Sequence, residues 1–323
     1  NTLNTLSTDL GNGSAKAIQV VGNTVYTAGY RFSPNDEDDP ATFFAPCYWK
    51  NGVRVDLDVL ELSQSGKAQD IQVVGDYIFI AGFTTNANFT TTPCYWINDT
   101  LAELSVIAPD KDGEAKALHI AENNIYIAGY TQNESDVQVP CYWRNELRLD
   151  LPFINPTKGG VAEDIYVVGT DIYVAGYTLD DSDLPVPCYW INGNRVDLSL
   201  FSGSDTGITQ AIAVKDKTVY TVGDSDIFLE EDGVIIADTD FFPFYWINSS
   251  PDILPVLESN STEPEGSAYA IDITENALYI SGYSRDSNGV AVPCYWENGI
   301  RIDLPVLSLE HDGKAYGIYI TED

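Results

Sequence analysis

The stretch IYIAGYTQNESDVQVPCYWRNELRLDL, residues 125–151, decides the fold. It opens on a strand-length apolar run, Ile125–Tyr130, and reaches a second run at Cys141-Tyr142-Trp143 through a mostly polar connection. A short turn then leads into Leu147–Leu151, and the run Ala115–Ala121 lies just upstream. Short β-favouring runs punctuated by turn residues read as four successive strands, and no 3.6-residue period argues for helix.

The unit recurs six times. Its Tyr-Trp pair falls at Tyr48-Trp49, Tyr95-Trp96, Tyr142-Trp143, Tyr189-Trp190, Tyr245-Trp246 and Tyr295-Trp296, with steps of 47, 47, 47, 56 and 50 residues. Ahead of each pair stands Ala28-Gly29-Tyr30 or its counterpart: Ala81-Gly82-Phe83, Ala128-Gly129-Tyr130, Ala175-Gly176-Tyr177, Val222-Gly223-Asp224 and Ser281-Gly282-Tyr283. Tight turns such as Gly22-Asn23, Gly75-Asp76, Asn51-Gly52, Asn192-Gly193 and Asn298-Gly299 suit two-residue hairpins, because these residues tolerate positive φ. Four antiparallel strands per repeat of roughly 40–50 residues predict an all-β chain, a six-bladed β-propeller. The blades are expected over 14–66, 67–113, 114–160, 161–207, 208–266 and 267–313. An extra inner-type strand follows over 314–323, and residues 1–13 precede the propeller as a strand or tail.

The pattern resembles the Kelch class of propeller repeat: a small-residue inner strand, an Ile-Tyr-x-x-Gly second strand and an aromatic third strand. It departs from Kelch where the double glycine is replaced by Ala-Gly-Tyr and where Trp sits in the third strand. It is more similar to secreted prokaryotic proteins built from "IYxAGY…CYWxNGxRxDL" repeats. That resemblance implies the propeller fold over nearly the whole chain and brings no reaction with it.

Most repeated residues read as structural. The Tyr-Trp pairs should wedge between blades, and the second-strand glycines should admit a neighbouring backbone. Arg54 and Asp56, Arg148 and Asp150, Arg195 and Asp197, and Arg301 and Asp303 stand two apart, hence on one strand face, as an exposed solubility ladder. Cys47, Cys94, Cys141, Cys188 and Cys294 occupy one place in five blades, too far apart for disulfides, and are expected as reduced, buried packing residues.

Composition narrows the partners. The 323 residues include 49 acidic and 16 basic side chains, a net charge of −33, which repels nucleic acid and anionic membranes. A 44% hydrophobic content still supports a sizeable core. No apolar run is long enough to span a membrane. The chain begins at Asn1 and contains no Met, so N-terminal processing is expected, and six Asn-x-Ser/Thr sequons fit an extracellular location. Two histidines, His119 and His311, leave little room for a triad or a multi-His metal site. The acidic runs Asp36-Glu37-Asp38-Asp39 and Asp180-Asp181-Ser182-Asp183 read as solvated loops that could hold calcium only weakly, and no cofactor is expected.

Function on a repeat scaffold sits where the copies stop matching. Four copies join their second and third strands by nine-residue loops. Copy one uses fifteen residues, 31–45, and copy five uses eighteen, 225–242. Copy five's insertion reads as an extra hairpin, Ile227-Phe228-Leu229 and Val234-Ile235-Ile236 flanking an acidic turn. With Phe43 and Phe44 of copy one, these residues are candidate partner-binding positions. The ends add a further one. Lys314–Ile320 matches an inner strand such as Ser267–Ile273, and Leu3-Asn4-Thr5-Leu6 matches the outer-strand end Leu304-Pro305-Val306-Leu307. That makes 26 strands for 24 places. The C-terminal segment could displace Ala15–Val21 from blade one, or a terminal segment carrying Leu3 and Leu6 could pair with a neighbouring molecule. The leading expectation is a non-catalytic, secreted, self-associating propeller. A glycan- or protein-binding module on the loop-rich face is the alternative, and a lyase or glycosidase the third.

Overall fold

The structure is a computed structural model. It describes residue 6 and residues 13–34, 42–62, 64–201, 203–231, 234–257, 265–308 and 310–321. These residues are all strand, turn and loop, with no helix among them. They form six four-stranded antiparallel sheets, the blades of a six-bladed β-propeller, each with its strands in chain order.

Blade one comprises β1 (Gly13–Val21), β2 (Thr24–Pro34), β3 (Thr42–Lys50) and β4 (Val53–Asp56); blade two β5 (Gly66–Val74), β6 (Tyr77–Thr85), β7 (Thr91–Ile97) and β8 (Thr100–Glu103). Blade three holds β9 (Gly113–Ala121), β10 (Asn124–Gln132), β11 (Gln138–Arg144) and β12 (Leu147–Asp150); blade four β13 (Gly160–Val168), β14 (Asp171–Leu179), β15 (Pro185–Ile191) and β16 (Asn194–Asp197). Blade five has β17 (Gly207–Lys215), β18 (Thr218–Glu231), β19 (Val234–Ile247) and β20 (Ser250–Ile253); blade six β21 (Gly266–Ile273), β22 (Leu278–Arg285), β23 (Ala291–Glu297) and β24 (Ile300–Asp303). The chain divides into two compact units, one ending at Asp171 and the other starting at Ile172.

Strand alternation explains the Tyr-Trp pair. Adjacent side chains point to opposite faces of a sheet, so one residue serves each neighbouring blade. Within the first unit, Tyr95 of blade two and Trp143 of blade three meet in one cluster with Leu104, Leu118, Ile127 and Cys141. Tyr48 and Trp96 share the cluster before it. In the second unit, Tyr245 packs against the cluster of Val222, Leu254, Ile280, Cys294 and Trp296. All six tryptophans are at most 1% exposed. Their indoles also latch blades together. Trp96 Nε1 donates to Asp58 O at 2.7 Å and Trp143 Nε1 to Ser105 O at 2.8 Å. Within the second unit, Trp246 Nε1 donates to Ser199 O at 2.8 Å and Trp296 Nε1 to Pro255 O at 2.7 Å. Each acceptor lies just past the fourth strand of the preceding blade.

The second-strand glycine has a specific cause. The inner strand bulges against it, at Ala68/Asp70 in blade two and between Ala128 and Gly129 in blade three. A Cβ on Gly82 or Gly129 would collide with the backbone carbonyl of Lys67 or Glu114. The close neighbour is therefore the strand's own sheet partner.

The five cysteines are free and buried, as their place in the repeat suggests. Burial pushes the Cys47, Cys141, Cys188 and Cys294 thiols up to about 12. In blade five Phe244 takes the cysteine's place, stacked at 6.0 Å on Trp246 and 5.9 Å from Phe201. The arginine–aspartate ladder differs from expectation. The pairs form, as at Arg54–Asp56 and Arg301–Asp303, both 2.8 Å, but only the carboxylates stand in water. Arg301 is 10% exposed and lies over the Trp296 ring. The arginine stem is thus part of the core edge.

Candidate functional site

Neighbouring inner strands meet through a small set of contacts that recurs along the first unit. The inner strands β5 and β9 each open on a glycine packed against the proline of the preceding blade's third strand. A Cβ on Gly66 would lie 3.2 Å from the Pro46 ring, and one on Gly113 3.1 Å from Pro93. The following residue can cover the second-strand aromatic, as the Lys67 ammonium does 5.1 Å from the Tyr30 ring. Near the far end, Gln72 Oε1 accepts from Ile120 N at 2.6 Å, and Gln19 Oε1 accepts from Val73 N.

Residues 313–320, in the second unit, make the same contacts beside blade six. A Cβ on Gly313 would lie 2.9 Å from the Pro293 ring. The Lys314 ammonium stands 4.4 Å from the Tyr283 ring. Ala315 N donates to Gly282 O at 3.3 Å, and Gly313 N to Ala291 O at 2.8 Å. Tyr316 packs at 4.9 Å on Tyr269, and Ile320 N donates to Asp272 Oδ2 at 2.6 Å. The segment therefore docks as the inner strand of a further blade. Yet it belongs to none of the six sheets formed by the described strands. The alternative in which it displaces Ala15–Val21 does not occur: β1 heads the sheet of blade one. Its own bulge and register with β2 already satisfy it there.

Two polar clusters lie on the inner strands. In the first unit Lys116 Nζ sits 2.8 Å from Glu114 Oε2, with Glu163 and Tyr130 close enough to act on its charge. Burial raises the Glu163 carboxyl above the usual range. In the second unit copy five replaces its Tyr by Asp224, which accepts from Ser267 Oγ. Both residues are at most 5% exposed, and burial pushes Asp224 up to about 6. His119 packs its ring 4.9 Å from Tyr166, and burial lowers it to about 4. These groups are spent on their neighbours in the sheets. The acidic run at 180–183 is likewise used locally, since Asp180 Oδ1 accepts from Ser182 N and Leu184 N. Among the described residues no His, Cys, Asp and Glu gather as a metal set.

The candidate partner-binding residues separate. Leu3 lies outside the described residues, and Leu6 is half-buried. Phe43 and Phe44 are half-buried in β3. Phe44 packs at 5.1 Å on Tyr30 and lies 4.4 Å from the Lys67 ammonium, so its ring is engaged within its own unit. Ile227, Phe228 and Leu229 continue β18, and Val234, Ile235 and Ile236 begin β19. Pairs such as Phe228↔Asp238 and Glu231↔Val234 make the expected β-ribbon, whose side chains lie outside the described residues. The sequence reading missed the tryptophan latches and the glycine–proline contacts. The second left a signal, since a Gly opens every inner strand and a Pro precedes every Cys-Tyr-Trp or Phe-Tyr-Trp.

No known protein family and no curated protein matches the sequence. Among solved structures, the chain is similar to a triple arginine-to-alanine mutant of AofleA from Arthrobotrys oligospora, at 10% identity and a TM-score of 0.45, over 96% of this chain and 91% of that one. A mutant of Trypanosoma rangeli sialidase displaying trans-sialidase activity matches at 9% identity and a TM-score of 0.49, over 88% of this chain and 54% of that one. The RS223 β-xylosidase matches at 9% identity and a TM-score of 0.38, over 88% and 96%. At these distances nothing about activity is carried across.

Proposed function

We propose that the protein is a non-catalytic, secreted structural propeller that assembles with copies of itself. Segment 1–12 of one copy adds as a strand along residues 313–320 of the next. The observation that carries this reading is the docking of 313–320 as an inner strand that belongs to no sheet in the described chain. A docked strand presents backbone donors and acceptors along its outer edge, and such an edge is a template for a strand from another chain. The match of Leu3–Leu6 to an outer-strand end supports the donor. Because donor and acceptor lie at opposite ends of the chain, the contact is head to tail and need not close, which gives fibres.

Deleting residues 1–12 tests the reading while sparing β1, which starts at Gly13. Light scattering should show concentration-dependent assembly of the full chain and a folded monomer for the truncated one. Equal assembly by both, or a full chain that stays monomeric at every concentration, contradicts strand donation.

A further inference from the structure

Within the second unit, a groove of ≈ 350 Å³ opens between blades five and six. It lies among the tight turns, at the end of the blades opposite the long connections, where the repeat pattern suggested nothing of interest. Its origin is local. In blade five the inner hairpin turns in two residues, between Lys215 and Thr218. In blade six four residues, 274–277, separate Ile273 from its partner Leu278. Lys215 of blade five reaches the wider loop, its Nζ donating to Thr274 O at 2.8 Å and to Glu275 O. Tyr220, Tyr245 and Ile247 line the blade-five wall, and Leu278 and Asn298 the facing one. Register puts the three on one sheet face: Tyr220 pairs with Ile247, and Tyr245 stands two residues before it.

We propose that this groove binds a neutral oligosaccharide. Its volume lies in the range of small-molecule sites. Two tyrosine rings with Ile247 and Leu278 offer an apolar wall suited to the C–H face of a pyranose, while Lys215, Asn276 and the Tyr220 hydroxyl supply polar groups for its hydroxyls. A wholly apolar ligand would strip water from those polar groups without replacing their hydrogen bonds. An anionic ligand would approach against the chain's net charge of −33. A neutral sugar meets both conditions. The proposal is independent of strand donation, since no residue of 313–320 lines the groove.

The test is calorimetric titration of the full chain with four neutral hexasaccharides, those of β-1,4-glucan, β-1,3-glucan, β-1,4-mannan and α-1,4-glucan, and with a hexagalacturonate. At least one neutral hexasaccharide should bind, and more tightly than the hexagalacturonate. Tyr220→Ala should weaken it about tenfold, as loss of one ring contact does, whereas Tyr220→Phe, which keeps the ring and loses only the hydroxyl contact, should weaken it less. Ile247→Asn, at a position already 40% exposed, gives a second loss-of-binding variant with little risk to folding. Absence of binding by all four sugars, preference for the hexagalacturonate, or unchanged affinity in folded Tyr220→Ala and Ile247→Asn would overturn the proposal.

Discussion

Trp96 fills the space between two blades and ties them through Asp58 O. Replacing it by Phe keeps a ring but removes the donor and leaves a small void. Trp96→Phe should therefore lower stability by about 1–3 kcal/mol, seen as a lower urea midpoint with an unchanged slope. The cysteines make a chemical prediction. With thiols buried and held at about 12 in four of the five, a bulky maleimide should label none in the native protein and all five after unfolding. Asp70 sets a pH dependence. It accepts from Ile71 N at 2.7 Å and Leu118 N at 2.8 Å, yet burial outweighs these bonds and pushes its carboxyl up to about 6. A folded-state value above the unfolded one means that the native state binds the proton more tightly. Its stabilising contribution is present in full below the unfolded value of 3.8 and is lost as pH rises through about 6. Urea midpoints measured from pH 4 to 8 should fall with rising pH, and Asp70→Asn should flatten part of that slope. An identical slope in the variant would remove Asp70 as a cause.

Among the elements, the inner hairpin depends on its glycine. Gly129→Ala would drive a methyl into the Glu114 carbonyl at the bulge, in backbone that has no room to give. A loss of about 1–3 kcal/mol or more is expected from such overpacking, read by the same urea titration. Much of this architecture was legible in the sequence, because two-residue turns, alternation and six repeated signatures all specify one register. Strand starts were less legible: β1 begins at Gly13, two residues before the apolar run at Ala15, because its backbone pairing with β2 extends to Gly13↔Arg31, beyond the apolar side chains. The arginine ladder was placed on the correct face but read as exposed, since spacing along a strand does not reveal that a guanidinium stem will lie over a neighbouring indole. The groove was not legible at all. It lies where Lys215 meets a four-residue turn of the next blade, a relation between residues 215 and 274–275 that no local pattern carries.

For the molecule as a whole, charge and assembly oppose each other. Copies with a net charge of −33 repel at long range, and salt screens that repulsion. Assembly through strand addition should thus strengthen as sodium chloride rises from 20 to 300 mM, followed by light scattering, since backbone hydrogen bonds are little affected by screening. Association that weakens with salt would point instead to ion pairs between copies. The most direct measurement of strand donation is hydrogen exchange at the backbone amides of residues 313–320. Gly313, Ala315 and Ile320 already donate within the chain and serve as internal references. At the other amides of the segment protection should increase with protein concentration in the full chain, as the neighbouring copy's segment 1–12 pairs along them, and that increase should be lost in the chain lacking residues 1–12. Protection that is independent of concentration and unchanged by the truncation would contradict the account.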